Sequence, residues 1–266
     1  CTFCQVPRLF GRSIRSRSID NIVEEVRQMK RQGVSRVAVS GGTGSLFGYG
    51  KQINREAFVE MLRALSGILG KRNLSVPDMR VDLVDEAVLE AVRDYTIGWV
   101  FFGLESGSNA MLKAMKKGVT REDNLRAVEL ARRVGVKVGG SFIVGYPGES
   151  REDYMESMSF LEQAMLDDVF VSIAEPIPGT PLARLALDAP ENELALYQEH
   201  DGDYRALRLS EAEARCFELM LQGEGCKPVP RAITNDLYNT YLAEAKGQGK
   251  DLKRVMQLLR KYREYI

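Results

Sequence analysis

The sequence predicts an α/β fold: a partial (β/α)6 TIM-like barrel lacking its first strand, followed by a C-terminal helical extension. Three observations point there. Short apolar runs alternate with segments of helical periodicity from Ser18 to about Ile173, the connections between them are short, and the alternation stops near Asp188. Strand and helix in strict alternation build a parallel sheet covered by its crossover helices. A length of 266 residues suits one such domain with an appended segment.

The elements follow in order. Ile19, Ile22, Val23, Val26 and Met29 recur at helical spacing after Ser18, with Asp20, Glu24 and Glu25 in the first turns and Gly33 as the stop. Val34 to Ser40 reads as a strand. A helix from about Asn54 to Leu69 closes at Gly70, a strand lies near Val76 to Asp82, and a helix runs from about Asp85 to Asp94. Trp99 to Gly103 is a short buried strand. Thr120, with Asp123 three residues on, starts a helix that Gly135 ends; Val136 to Val144 is a strand; Ser150 with Asp153 opens another helix; Phe170 to Ile173 is the last strand. Five strands after Cys1 imply a sixth just before it. Residues 1–187 form the expected core. Residues 188–266 read as a polar loop and then helices near Ser210 to Gln222, Arg231 to Ala245 and Lys250 to Tyr265.

Composition narrows the function classes. Hydrophobic residues are 44% and charged residues 28%, and Lys+Arg equals Asp+Glu at 37 each, so no overall field favours nucleic acid or a membrane surface. No run of about 18 apolar residues and no signal peptide is present, and a cytoplasmic protein is expected. A single histidine, His200 in the polar run Gln198-Glu199-His200-Asp201, leaves little material for Ser-His or Cys-His catalysis. No Walker-type phosphate loop occurs.

Four segments carry chemistry. Cys1-Thr2-Phe3-Cys4 sets two thiols three residues apart in one loop, where both can grip one metal centre. Cys1 and Cys4 read equally as half of a structural zinc knuckle completed by Cys216 and Cys226, or as a dithiol. The chain starts at a cysteine, and a longer protein is expected. Ser40-Gly41-Gly42-Thr43-Gly44 follows a strand, and its glycines let the backbone approach a ligand or simply make a turn. Gly103-Leu104-Glu105-Ser106-Gly107-Ser108 also follows a strand, where Glu105 can accept hydrogen bonds from hydroxyls or a cationic amine, or cap a helix. Ser141 to Glu149 ends the next strand, and Glu149 with Ser150 reads alternatively as helix N-terminal chemistry. The proline-rich run Glu175 to Pro181 is a stiff segment. Arg8, Arg12, Arg15 and Arg17 form a basic run that reads as a solvated loop or as a face for an anionic substrate.

Taken together and in this order, these segments resemble the radical S-adenosylmethionine superfamily. Cys1, Phe3 and Cys4 look like the end of its Cys-x-x-x-Cys-x-x-Cys loop, whose first ligand would lie four residues before Cys1. The resemblance implies a [4Fe-4S] cluster with Cys1 and Cys4 as ligands and S-adenosylmethionine at its open iron. It implies a cofactor wall of Phe3, Gly41, Gly42, Thr43, Glu105, Ser106, Ser141, Ile143 and Gly145. Thr43 stands where the family has Glu, which leaves backbone and hydroxyl contacts there, and Glu149 falls one residue later than in the family pattern.

The activity so implied is reductive cleavage of S-adenosylmethionine to a 5'-deoxyadenosyl radical, driven by an electron donor such as flavodoxin or ferredoxin. Gly103 to Thr120, with Met111, Leu112, Met115, Lys117 and Gly118, resembles the branch associated with an upstream cobalamin-binding domain, which implies methylation or rearrangement of a small-molecule substrate. A methylthiotransferase is the enzyme alternative. A non-catalytic zinc-stabilised module is the alternative from another class.

Overall fold

In the computed structural model the described residues are 1–188, apart from 12, 41, 175, 176 and 178, together with 197–198 and 204–205. Gly41, His200, Cys216, Cys226 and the helices expected beyond Ser210 lie outside them. The chain forms two compact units. One comprises Arg12–Leu104 and Glu122–Gly140; the other comprises Cys1–Gly11, Glu105–Arg121 and the chain from Ser141 onward.

The first of these contains α2 (Ile19–Arg31), β1 (Val37–Ala38), α3 (Arg55–Leu69), β2 (Leu74–Ser75), β3 (Asp78–Met79), α4 (Glu86–Tyr95) and β4 (Trp99–Glu105) up to Leu104. It also holds α6 (Arg121–Val134) from Glu122 and β5 (Lys137–Val144) up to Gly140. The helices begin where the sequence expects. The side chains of Ser18, Asn54 and Asp85 accept from the backbone N–H of Asn21, Ala57 and Val88, satisfying donors that a helix start leaves orphaned. On α3 the buried residues Phe58, Met61, Leu62, Leu65 and Leu69 fall on one stripe. Val88, Leu89, Ala91 and Val92 do the same for α4. Each such Phe, Met, Leu or Val side chain, fully buried, contributes about 1.5–3 kcal/mol.

The strands differ from the sequence expectation in one informative place. The strand expected over Val76 to Asp82 shortens to β3, Asp78–Met79: β2 ends before it at Ser75, and Val81–Leu83 is a 3-10 turn. Pro77 lies in the break, and a residue without an N–H cannot continue a ladder. The two pieces serve two ladders. β1 pairs with β2 in parallel, Val37 opposite Leu74, and β3 pairs with β4 in parallel, Asp78 opposite Phe101. β3, β4, β5 and β6 (Asp168–Ile173) are hydrogen-bonded in that order.

The second unit contains α1 (Val6–Leu9), α5 (Asn109–Ala114), the end of β5, α7 (Arg151–Ala164), β6 and α8 (Pro181–Asp188). Sequence periodicity did not reveal α1, α5 or α8, which are one or two turns long. Beyond them, β7 (Tyr197–Gln198) and β8 (Tyr204–Arg205) pair antiparallel within the stretch read as polar loop. Ser150 and Asp153 form the expected capping box of α7. The loop 105–108 packs onto this helix. A Cβ on Gly107 would stand 2.6 Å from the Glu156 carbonyl oxygen and 2.7 Å from Ser157 Cα and Phe160 Cβ, so only glycine allows the approach.

Gly107→Ala is therefore expected to cost about 1–3 kcal/mol as an overpacking change, read as a lower urea midpoint. Gly67→Ala, in open space on the exposed side of α3, should instead stabilise by about 0.5–1 kcal/mol.

Candidate active site

Of the expected site residues in the second unit, Ile143 packs with Phe3 of the cysteine loop and Gly145 precedes Tyr146, which bonds to that loop. Thr2, between Cys1 and Phe3, is buried and tied on every side. Its N–H donates to Met115 O at 2.9 Å, its hydroxyl donates to the same oxygen at 3.1 Å, and its carbonyl accepts from Leu182 N at 2.9 Å. The Tyr146 hydroxyl lies 2.6 Å from Thr2 Oγ1. Phe3 packs against the buried residues Met111, Met115, Ile143, Tyr146, Ala174 and Leu182. Cys1 is exposed and Cys4 half-buried, and neither is in a disulfide.

Glu105 ends β4 with φ at 67°, in the left-handed region that is costly for any residue with a Cβ. Its carboxylate is buried. Lys117 Nζ donates to Oε1 at 2.9 Å, and Ser141 Oγ donates to Oε2 at 3.3 Å. Lys117 is equally buried, so the pair is an internal salt bridge between the strand end and the turn after α5. Glu105 caps no helix; the N-cap of α5 is Ser108, whose hydroxyl accepts from Met111 N. Ser106 is fully buried with its hydroxyl 3.1 Å from Ser157 Oγ and accepting from Ser108 N. Its side chain serves the contact with α7.

The segment after β5 has its own internal lock. Gly145 takes φ of 72° and donates its N–H to Glu149 Oε2 at 2.5 Å. Burial pushes the Glu149 carboxyl up to about 7, against the opposing pull of hydrogen bonds from the Gly145 and Tyr146 backbone. Of the two readings of Glu149, helix N-terminal chemistry falls to Ser150 and Asp153 instead. Asp153 also accepts from Ser108 Oγ at 2.6 Å. Burial raises its carboxyl, but the hydrogen bonds from Ser108 and Ser150 outweigh this and hold it below the usual range.

At the last expected segment, Thr180 caps α8, with Oγ1 donating to Ile177 O at 2.7 Å and accepting from Ala183 N at 3.1 Å. Gly179 has φ of 82°, and the Arg8 guanidinium occupies the place a Cβ would take there. Arg8 thus packs on backbone, while Arg17 pairs with Glu25 on the surface of the other unit. Gly42 and Thr43 belong to that other unit. Gly42 is exposed, and Thr43 precedes the 3-10 turn Gly44–Leu46 without capping it by its side chain. A Cβ on Gly44 would stand 2.5 Å from Val76 Cγ2.

The donor set fits an iron-sulfur group in kind: two sulfur ligands, three residues apart, on a loop already held in place. Among the described residues no group of three or more His, Cys, Asp or Glu gathers as a metal site, and Cys1 and Cys4 would supply two ligands of such a centre. Sequence reasoning missed Thr2 and Tyr146 as supports of the cysteine loop. It also had Lys117 only as part of a resembling stretch, because a buried ion pair across twelve residues has no periodic signature.

Two outcomes follow. Lys117→Met, which leaves the Glu105 carboxylate without its buried partner, should destabilise by about 3–5 kcal/mol, and the Glu105→Gln/Lys117→Met double variant by less than the two single losses together in chemical denaturation. The folded Glu149 binds its proton more tightly than the unfolded chain, whose ordinary value is 4.5, so stability should fall as pH rises from about 4.5 to about 7. Glu149→Gln should flatten that slope in urea midpoints measured between pH 5 and pH 8.

Comparison with known proteins identifies the family. Residues 1–161 match the Radical SAM superfamily. A protein of Methanocaldococcus jannaschii provisionally named a methylthiotransferase is 57% identical over 266 residues, covering 100% of this chain and 59% of that protein. A tRNA-2-methylthio-N(6)-dimethylallyladenosine synthase of Sulfurihydrogenibium sp. is 30% identical over 199 residues, 73% of this chain and 45% of that enzyme. The chain spans about half the length of these curated relatives. Among solved structures, the cobalamin-dependent S-adenosylmethionine radical enzyme OxsB aligns with a TM-score of 0.61 at 18% identity, over 99% of this chain and 44% of its own. The radical S-adenosylmethionine methyltransferase TsrM of Kitasatospora setae aligns at 0.59 and 16%, over 100% and 59%. At such identities the likeness is one of fold. A match over residues 1–161, on the segment that holds the clamped cysteine loop and the Glu105 turn, establishes that the chain belongs to the radical SAM superfamily.

Proposed function

We propose that the chain is the radical-generating core of a group-transfer enzyme, in which Cys1 and Cys4 ligate a [4Fe-4S] cluster and S-adenosylmethionine lies against Phe3, Glu105, Ser141, Ile143 and Gly145. Gly41, Gly42, Thr43 and Ser106 complete the proposed cofactor contacts, Ser106 through its backbone. Residues 1–187 are the proposed core and 188–266 its helical extension. The cysteine loop carries this reading: two thiols on a segment whose neighbour Thr2 is fixed by hydrogen bonds to Met115, Tyr146 and Leu182.

When bound, such a cluster supplies the electron that cleaves the sulfonium to methionine and a 5'-deoxyadenosyl radical, with flavodoxin or ferredoxin as the proposed donor. The protein's residues then bind and orient. Glu105, held by Lys117 and Ser141, presents a fixed acceptor edge to hydroxyl or amine donors. Phe3 and Ile143 contribute apolar surface, which excludes water from a reactive site. Gly145, without a side chain, leaves its backbone open to close approach.

Methylthio transfer is the reading the 57% identical relative supports, and the tRNA-modifying name of the second relative brings a tRNA nucleoside in as candidate substrate, although net charge gave no sign of nucleic acid. The Gly103 to Thr120 stretch favours a second reading, cobalamin-dependent methylation of a small molecule.

The deciding assay uses the full-length protein, purified without oxygen and reconstituted with iron and sulfide. Dithionite and S-adenosylmethionine should yield 5'-deoxyadenosine, and Cys4→Ala should abolish it. Zinc without acid-labile sulfide, and no product, would refute the proposal. Product formation on a tRNA substrate without added cobalamin selects methylthio transfer; a requirement for cobalamin selects the second reading.

A further inference from the structure

The cysteine loop is short, exposed at Cys1, and carries two sulfur ligands that must converge on one centre. Loops of that kind ordinarily gain their order from the metal. Here the order comes from the residue between the ligands. All three polar groups of Thr2 are engaged: N–H and hydroxyl with the Met115 carbonyl that ends α5, carbonyl with Leu182 N of α8. The Thr2 proton points at Met115 O, and the Tyr146 hydroxyl therefore donates to Thr2 Oγ1 across 2.6 Å. Tyr146 is itself buried, and burial raises its pKa above the ordinary range against the opposing pull of its bond to Thr2, which keeps the hydroxyl protonated. Thr2 is thus linked through its side chain to the end of α5 and the loop after β5, and through its backbone carbonyl to the first turn of α8.

We propose that Thr2 is a positioning residue, which with Tyr146 as its side-chain partner presets the loop so that Cys1 and Cys4 face one centre before iron is present, and so governs how firmly the centre is retained. The inference rests on the cluster reading above. Thr2 touches neither metal nor substrate in this scheme; it acts through the backbone on either side of it. Thr2→Val keeps the shape of the side chain and removes only the hydroxyl, Thr2→Ser keeps the hydroxyl, and Tyr146→Phe removes the donor alone.

The test has two readouts on the full-length protein. In metal-free protein, hydrogen-deuterium exchange of the peptide spanning Cys1 to Leu9 should quicken in Thr2→Val and Tyr146→Phe but not in Thr2→Ser, with the thermal midpoint of each variant recorded as a check on global folding. In reconstituted protein, iron loss to a chelator should be roughly two- to tenfold faster in the same two variants, the factor expected for one lost hydrogen bond. Thr2→Ser should behave as wild type. Exchange and iron loss unchanged in Thr2→Val and Tyr146→Phe would overturn the proposal. Wild-type protein that assembles no cluster would instead overturn the cluster reading, while the exchange experiment on metal-free protein would still decide whether Thr2 clamps the loop.

Discussion

The salt bridge between Glu105 and Lys117 is the constraint on which the second unit is organised. Glu105 occupies the left-handed region at the point where β4 ends, a conformation costing on the order of 1–3 kcal/mol for a residue with a side chain. Such backbone persists only where neighbours determine it. Lys117 and Ser141 hold one carboxylate oxygen each, and Gly107, two residues on, lies directly against α7. Moving Glu105 to an extended conformation would withdraw its carboxylate from a buried ammonium and redirect the chain that feeds α5. The strain and the ion pair therefore sustain each other.

From that turn the order passes along hydrogen bonds made by short polar side chains. Ser106, Ser108, Ser157, Ser150 and Asp153 join the 105–108 loop to the start of α7, and Met115, at the end of α5, receives both donors of Thr2. The loop after β5 adds Tyr146 to the same residue, while Glu149 turns inward to hold Gly145. Threonine and serine suit this use. Their side chains are short enough to lose little rotamer entropy, yet each can donate and accept at once.

What the sequence disclosed and what it hid follow from the same physics. Helices α2, α3, α4, α6 and α7 were legible from their first residues, because caps such as Ser18, Asn54, Asp85 and Ser150 and the apolar stripe behind each are local signals. The Val76 to Asp82 strand is longer than the one found because β-branched residues outweigh Pro77, whose missing donor separates β3 from β2 and leaves each in its own ladder. α5 and α8 went unseen since one or two turns cannot show a period. In the site, Cys1, Phe3, Cys4 and Glu105 stood out by residue type and place after strands. Thr2, Tyr146 and Lys117 act only through partners 12 to 144 positions away, and nothing local marks such pairs.

That division bears on how the site is built. In the proposed site, residues visible from the sequence would carry the chemistry: sulfur ligands, a carboxylate, an aromatic wall. Residues visible only in the fold hold them still, and a catalytic geometry depends on the second set as much as the first, since a displacement of about 1 Å can cost a hundredfold in rate. In this chain the holding residues Thr2, Tyr146 and Lys117 bond to protein groups. An iron centre and S-adenosylmethionine binding here would then meet a surface whose ordering entropy was lost on folding, and more of their binding free energy would remain to orient the reacting bond.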